Sequence, residues 1–129
     1  MRVLVLEDDI FKLIVAEKAL RSQIKNDLVI DSVRDLADGL NALAQQSYDL
    51  IITDMHYPNH GEDDGTSGLK LCDFVKEKGF KIPIIVFSTG QYSIPGTKSV
   101  VYRENYDYES DLRQAVKEMM EAARLSRAI

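Results

Sequence analysis

Three carboxylates, Glu7, Asp8 and Asp9, follow the apolar run Val3–Leu6 without a gap, and a fourth, Asp54, closes the run Leu50–Thr53. If those two runs are neighbouring strands of one sheet, Glu7, Asp8 and Asp54 converge at a single edge. Several hard oxygen ligands with few softer partners suit a divalent cation, and Mg²⁺ is the usual occupant of sites built from one or two carboxylates and water. One acidic residue at a strand end is commonly just a solvated terminus, but two such clusters on alternate strand ends are harder to explain that way. Ser88 ends a further apolar run, Ile82–Phe87, with a hydroxyl able to hydrogen-bond a phosphoryl oxygen. Arg103, after Val100–Tyr102, carries a planar fork suited to a carboxylate or a phosphate. Each is ordinary alone; together they gather at strand carboxyl ends.

The elements that position these groups alternate in kind. Short β-branched runs at Val3–Leu6, Leu28–Ile30, Leu50–Thr53, Ile82–Phe87 and Val100–Tyr102 are too short for helices and read as buried strands. Between them lie stretches with helical spacing. The first runs from Ile10 to Ile24, with Ile10, Leu13, Ile14, Ala19, Leu20 and Ile24 as its apolar face. The second covers about Arg34 to Gln45, and the third covers Leu69 to Lys78 and stops at Gly79. The last starts near Asp107 and continues past Arg124, with Leu112, Ala115, Val116, Met119, Met120 and Ala123 repeating at helical intervals. Strict alternation implies right-handed βαβ crossovers and a parallel sheet covered on both faces. Gly90, Pro95 and Gly96 leave no room for a full helix between the fourth and fifth strands. The polar stretch from Pro58 to Gly68 reads as a loop. Both irregular stretches follow strands, at the edge where open α/β sheets bind ligands.

Length and charge narrow the partners. A chain of 129 residues fits one domain, 1–129. Sixteen Lys and Arg against twenty-one Asp and Glu give a net charge of −5, which argues against nucleic acid and against an anionic membrane surface. The apolar runs fall far short of the ~20 residues needed to cross a bilayer. The start of the chain lacks a signal-peptide pattern, and a lone Cys72 makes no internal disulfide, so the expected compartment is the cytoplasm. Cys72, among Leu69, Phe74 and Val75, reads as a small buried hydrophobe. His56 and His60 lack partners at zinc spacing. Glu62-Asp63-Asp64 reads as a solvated loop, with a regulatory insert as the alternative.

These residues carry a resemblance over roughly Arg2 to Arg124. The chain resembles a response-regulator receiver domain, the phosphoacceptor module of two-component signalling. Val3-Leu4-Val5-Leu6-Glu7-Asp8-Asp9 is similar to the family's first strand and acidic pair, which falls on Glu7 and Asp8. Leu50-Ile51-Ile52-Thr53-Asp54-Met55-His56-Tyr57-Pro58 is similar to the phosphoacceptor strand, with Asp54 as the phosphorylated aspartate. In Ile82-Pro83-Ile84-Ile85-Val86-Phe87-Ser88-Thr89, Ser88 falls at the switch Ser/Thr. The resemblance implies a flavodoxin-like α/β fold, a doubly wound five-stranded parallel sheet in the order 2-1-3-4-5 with the fourth helix shortened or absent. It implies Mg²⁺ held by Asp8, Asp54, the main-chain carbonyl of His56 and waters, with Glu7 orienting a water. It also implies a histidine kinase or phosphotransfer protein as donor, a downstream protein as target, and no enzymatic role beyond self-catalysed phosphotransfer and autodephosphorylation.

The departures sit on the output side. Arg103 stands where the family has Lys, and Glu104 where it has Pro, so the customary cis peptide is not expected. Val100 occupies the switch-aromatic position, with Tyr102 two residues on and on the same face. The 59–67 loop is an insertion. A stand-alone receiver phosphorylated on Asp54 is the leading reading. The alternatives are a degenerate receiver with Arg103 paired permanently to Asp54, and a Toprim-like Mg²⁺-dependent phosphotransfer domain. Against the latter, His56 stands where its second Asp belongs.

Overall fold

The computed structural model describes residues 1–128. The element order is β1 (Arg2–Leu6), α1 (Ile10–Gln23), β2 (Val29–Val33), α2 (Leu36–Gln45), β3 (Leu50–Thr53), α3 (Ser67–Glu77), β4 (Ile84–Ser88), β5 (Thr97–Val101) and α4 (Tyr108–Ala128). The five strands form one parallel sheet in the order β2-β1-β3-β4-β5. Segment 89–96, between β4 and β5, carries no helix and closes in a turn in which the Thr97 amide donates to the Ile94 carbonyl at 3.1 Å. All peptide bonds in the described residues are trans. Among those residues no helix is long and apolar enough to cross a membrane.

The strands with the plainest sequence signal are the central ones. Every residue of β3 and β4, and all of β1 after Arg2, is buried, because helices cover both faces. One core lies on the α1–α4 side, where Val3, Val5, Leu50, Ile52, Ile85 and Phe87 meet Ala16, Ala19, Leu20, Leu112 and Val116. The other lies on the α2–α3 side, where Leu4, Leu6, Ile51 and Val86 meet Leu36, Leu43, Leu71 and Val75. The edge strands β2 and β5 are half-exposed and polar at several positions. Their apolar runs therefore mark only part of each strand, and β5 starts three residues earlier than the run predicts.

Helix ends follow local chemistry. The Asp9 carboxylate caps α1 by accepting from the Phe11 amide at 2.9 Å, and Asp35 caps α2 through the Asp38 amide at 2.8 Å. Beyond α3, Gly79 takes φ +70°, as the C-terminal glycine predicts. The apolar face assigned to α1 needs correction. Ile10 and Ile14 are 64% and 47% exposed, and the inward row is Lys12, Ala16, Ala19 and Leu20. That row has the spacing i, i+4, i+7, i+8, but a lysine at its head disguises it as a polar face.

The start of α3 is pressed against the end of β3. A Cβ at Gly68 would lie 2.6 Å from the Asp54 carbonyl oxygen and 2.7 Å from Met55 Cα. The Gly68 amide also donates to the Met55 carbonyl at 3.2 Å. Main-chain atoms cannot yield as a flexible side chain does, so Gly68→Ala should destabilise the fold by about 1–3 kcal/mol, the range typical of overpacking. Denaturant unfolding measures this, and a variant as stable as the wild type would contradict the contact.

Candidate functional site

Register places the two acidic strand ends side by side. Leu6 of β1 pairs with Thr53 of β3, so Glu7 and Asp54 follow as neighbours. The Glu7 amide donates to the Val33 carbonyl at 3.0 Å, and the Asp54 amide to the Leu6 carbonyl at 3.0 Å. The ladder thus continues one residue past each strand and fixes where both carboxylates emerge. One carboxylate oxygen from each of Glu7, Asp8 and Asp54 falls within 4.8 Å of the others. Glu7 and Asp54 are buried, while Asp8 is more open to solvent.

A cation that the sequence reading missed holds this cluster together. Lys12 Nζ lies 2.9 Å from Glu7 Oε1 and 3.0 Å from Asp54 Oδ2, and it donates to the Phe87 carbonyl at 2.9 Å. An ammonium has three protons, and here each has an acceptor. The residue is 4% exposed. Its Nζ sits 5.3 Å from the centre of the Phe87 ring and 5.5 Å from that of Tyr102, within cation–π range. Helical side chains lean toward the helix N-terminus, which aims Lys12, in the first turn of α1, at the carboxyl edge of the sheet. The usable signal was a lysine heading the apolar row Ala16, Ala19, Leu20, three positions beyond an acidic cluster.

Arg103 does not take the place expected for it. Its side chain is exposed and its Nε donates to the Thr89 carbonyl at 2.6 Å. The ammonium of Lys12 already stands against Asp54, and the wider guanidinium lies outside. The Arg103–Asp54 pair on which a degenerate reading rested is thus replaced by Lys12–Asp54. Ser88 is 1% exposed, and its hydroxyl has no hydrogen-bond partner among the described residues. Such an unmatched buried group normally costs about 1–3 kcal/mol, so it fits a site that receives a further polar group. The remaining Asp54 oxygen, Oδ1, accepts from the Met55 amide at 2.7 Å.

Loop 59–66 stands beside the site with defined structure. Asn59 and Glu62 exchange main-chain hydrogen bonds across a turn whose central residues, His60 and Gly61, have φ of 56° and 82°, the type I′ signature. Asp63 and Asp64 accept from the Gly65 and Thr66 amides. The exposed His56 ring lies between this loop and Tyr92, with Nδ1 3.9 Å from Asp63 Oδ1 and Nε2 3.5 Å from the Tyr92 hydroxyl oxygen.

The residues fit a hard divalent ion. Glu7, Asp8 and Asp54 offer only oxygen, and Asp8 stands open at the rim. The match to known proteins agrees. A model of the response regulator receiver domain covers residues 3–108. The chain belongs to the response-regulator receiver family. No curated protein matches its sequence significantly. Among solved structures, the signal receiver domain of a putative LuxO repressor protein from Vibrio parahaemolyticus is 16% identical with a TM-score of 0.74, covering 98% of this chain and 95% of that one. The response regulator TrrA from Thermotoga maritima, in complex with Mg²⁺ and BeF, is 23% identical with a TM-score of 0.63, covering 92% and 97%. The phosphorylated cyanobacterial phytochrome response regulator RcpA is 21% identical with a TM-score of 0.67, covering 93% and 91%. Receiver domains are signalling modules of two-component systems, and they bind Mg²⁺ at an acidic pocket.

Burial pushes the Glu7 carboxyl up to about 7, with the Lys12 ammonium opposing the rise and Asp54 adding to it. A carboxyl that holds its proton more tightly when folded stabilises the fold below its ordinary pKa and loses that contribution as pH climbs through the raised value. Without metal, unfolding free energy should therefore fall between about pH 5 and pH 7.5 in the wild type relative to Glu7→Gln. Thermal melts across that range test it; parallel curves for the two proteins would refute the assignment.

Proposed function

We propose that this receiver is phosphorylated on Asp54 with Mg²⁺ and signals by protein–protein interaction. The observation that carries the reading is the convergence of Glu7, Asp8 and Asp54 oxygens within 4.8 Å at one sheet edge. Three carboxylates so close repel one another strongly; a pair of unit charges 4 Å apart is worth about 4 kcal/mol at an effective dielectric of 20. A divalent ion relieves that repulsion and neutralises the oxygens of an incoming phosphoryl group. Asp8, Asp54 and the main-chain carbonyl of His56 would hold it, with Glu7 orienting a bound water.

The donor is the phosphohistidine of a histidine kinase or phosphotransfer protein. The P–N bond to imidazole breaks as an O–P bond forms on the Asp54 carboxylate, and the imidazole keeps the electron pair and is protonated from water. The unpartnered Ser88 hydroxyl is suited to donate to a phosphoryl oxygen. The target is a further protein rather than nucleic acid, consistent with the net charge of −5, and the place of action is the cytoplasm.

Incubation with acetyl phosphate and Mg²⁺, followed by intact-mass measurement, should show one acyl phosphate that disappears in Asp54→Asn. Equal phosphorylation of that variant would overturn the assignment. Mg²⁺ binding is expected near 1 mM, about −4 kcal/mol, and should weaken at least about tenfold in Asp8→Ala. Undiminished binding by calorimetry would remove Asp8 from the site.

A further inference from the structure

We propose that Lys12, carried by helix α1, is the cation that binds the phosphoryl group on Asp54, and that Arg103 takes no part in that contact. This rests on the reading of Asp54 as the phosphoacceptor. The Lys12 ammonium is 3.0 Å from Asp54 Oδ2, the carboxylate oxygen not engaged by the Met55 amide. It is the only lysine or arginine within ion-pair distance of Asp54 among the described residues. When an O–P bond forms on Asp54, the carboxylate's single charge gives way to the larger charge of a phosphoryl group a bond length further out. An ammonium on an unbranched four-carbon stem can follow that charge by small rotations and keep three donors in use. The Phe87 carbonyl holds the ammonium from behind, and the Phe87 and Tyr102 rings flank it, so it is presented to Asp54 rather than to solvent. The Arg103 guanidinium is exposed and tied to the Thr89 carbonyl.

Mounting the cation on α1 changes what moves with it. Tyr102 lies edge-on to Phe87 at 5.3 Å and against Tyr108 of α4 at 4.6 Å between ring centres. A shift of the ammonium toward a phosphoryl oxygen alters its distance to both rings. The first structural consequence of phosphorylation therefore falls on α1, Tyr102 and the start of α4.

The test uses the wild-type chain, Lys12→Met, which keeps an unbranched stem between the rings without the charge, and Arg103→Ala, with Asp54→Asn as control. Lys12→Met should acquire acyl phosphate from acetyl phosphate about 10²-fold more slowly, the scale of losing one donor at a developing charge. Unphosphorylated Lys12→Met should also bind Mg²⁺ more tightly than the wild type in an NMR titration, because no ammonium competes for Glu7 and Asp54. Arg103→Ala should keep the wild-type rate. In the wild type, adding Mg²⁺ and beryllofluoride should shift the protected Lys12 Nζ resonance and the Tyr102 and Tyr108 ring signals. Normal phosphorylation of Lys12→Met, a loss in Arg103→Ala, or an unmoved Lys12 signal would each overturn the proposal while leaving Asp54 in place. If Lys12→Met does not fold, the Arg103→Ala rate and the wild-type Lys12 signal decide. Absence of acyl phosphate in the wild type, or its persistence in Asp54→Asn, would instead overturn the phosphoacceptor reading, and the Lys12 proposal with it.

Discussion

A buried ammonium between two buried carboxylates is the interaction around which the carboxyl edge of this sheet is arranged. Lys12 touches Glu7 at the end of β1, Asp54 at the end of β3 and the Phe87 carbonyl near the end of β4. It thereby ties α1 to three adjacent strands at one point. Removing either partner of such a contact would leave an uncompensated charge out of water, which costs several kcal/mol. The small side chains Ala16 and Ala19 below it let α1 sit close to the sheet, and that closeness puts Lys12 within reach.

One cation does not balance three carboxylates. Glu7 and Asp54 share the Lys12 ammonium, and Asp8 has none of it. Burial, with a smaller contribution from Asp54, pushes the Glu7 carboxyl up to about 7 against the pull of Lys12, and the uncompensated carboxylate oxygens leave the site suited to a divalent ion. The same imbalance orders the competition: metal and ammonium draw on the same oxygens, so each lowers the other's hold on them. A phosphoryl group on Asp54 would relieve that competition by adding oxygens, so that both cations would find acceptors.

Legibility in the sequence followed burial. β1 after Arg2, β3 up to Thr53 and β4 up to Ser88 are apolar without interruption because both their faces are covered, and the carboxyl ends of these strands carry Glu7, Asp8, Asp54 and Ser88 at one edge. β2 and β5 lie at the sheet edges, where polar residues such as Asp31 and Lys98 are tolerated, so their extents were blurred. The face of α1 was misjudged for a more specific reason. Periodicity counts lysine as polar and outward, yet Lys12 is inward because its charge is met by the same carboxylates that made the site visible. The apolar Ile10, Phe11 and Ile14 that drew the reading to the other side are exposed. A pattern that scores each residue alone cannot register a charge whose partners lie in other elements. Arg103 failed in the complementary way. Its position in the loop after β5 suited a pocket cation, but the place beside Asp54 is filled by Lys12 of α1.

The relocated cation also bears on how a change at Asp54 could reach the surface. Segment 89–96 is an irregular turn, and β5 carries no aromatic residue. A conformational change is limited by how differently its two states contact the group that drives it. An exposed arginine bound to a loop carbonyl has little contact to change. The Lys12 ammonium has three acceptors and two aromatic rings around it, and Tyr102 continues that contact to Tyr108. Close-packed side chains pass small displacements along with little loss. The contiguous route from the acidic site therefore runs through α1 and the Tyr102–Tyr108 pair toward α4, on the face of the sheet opposite α2 and α3.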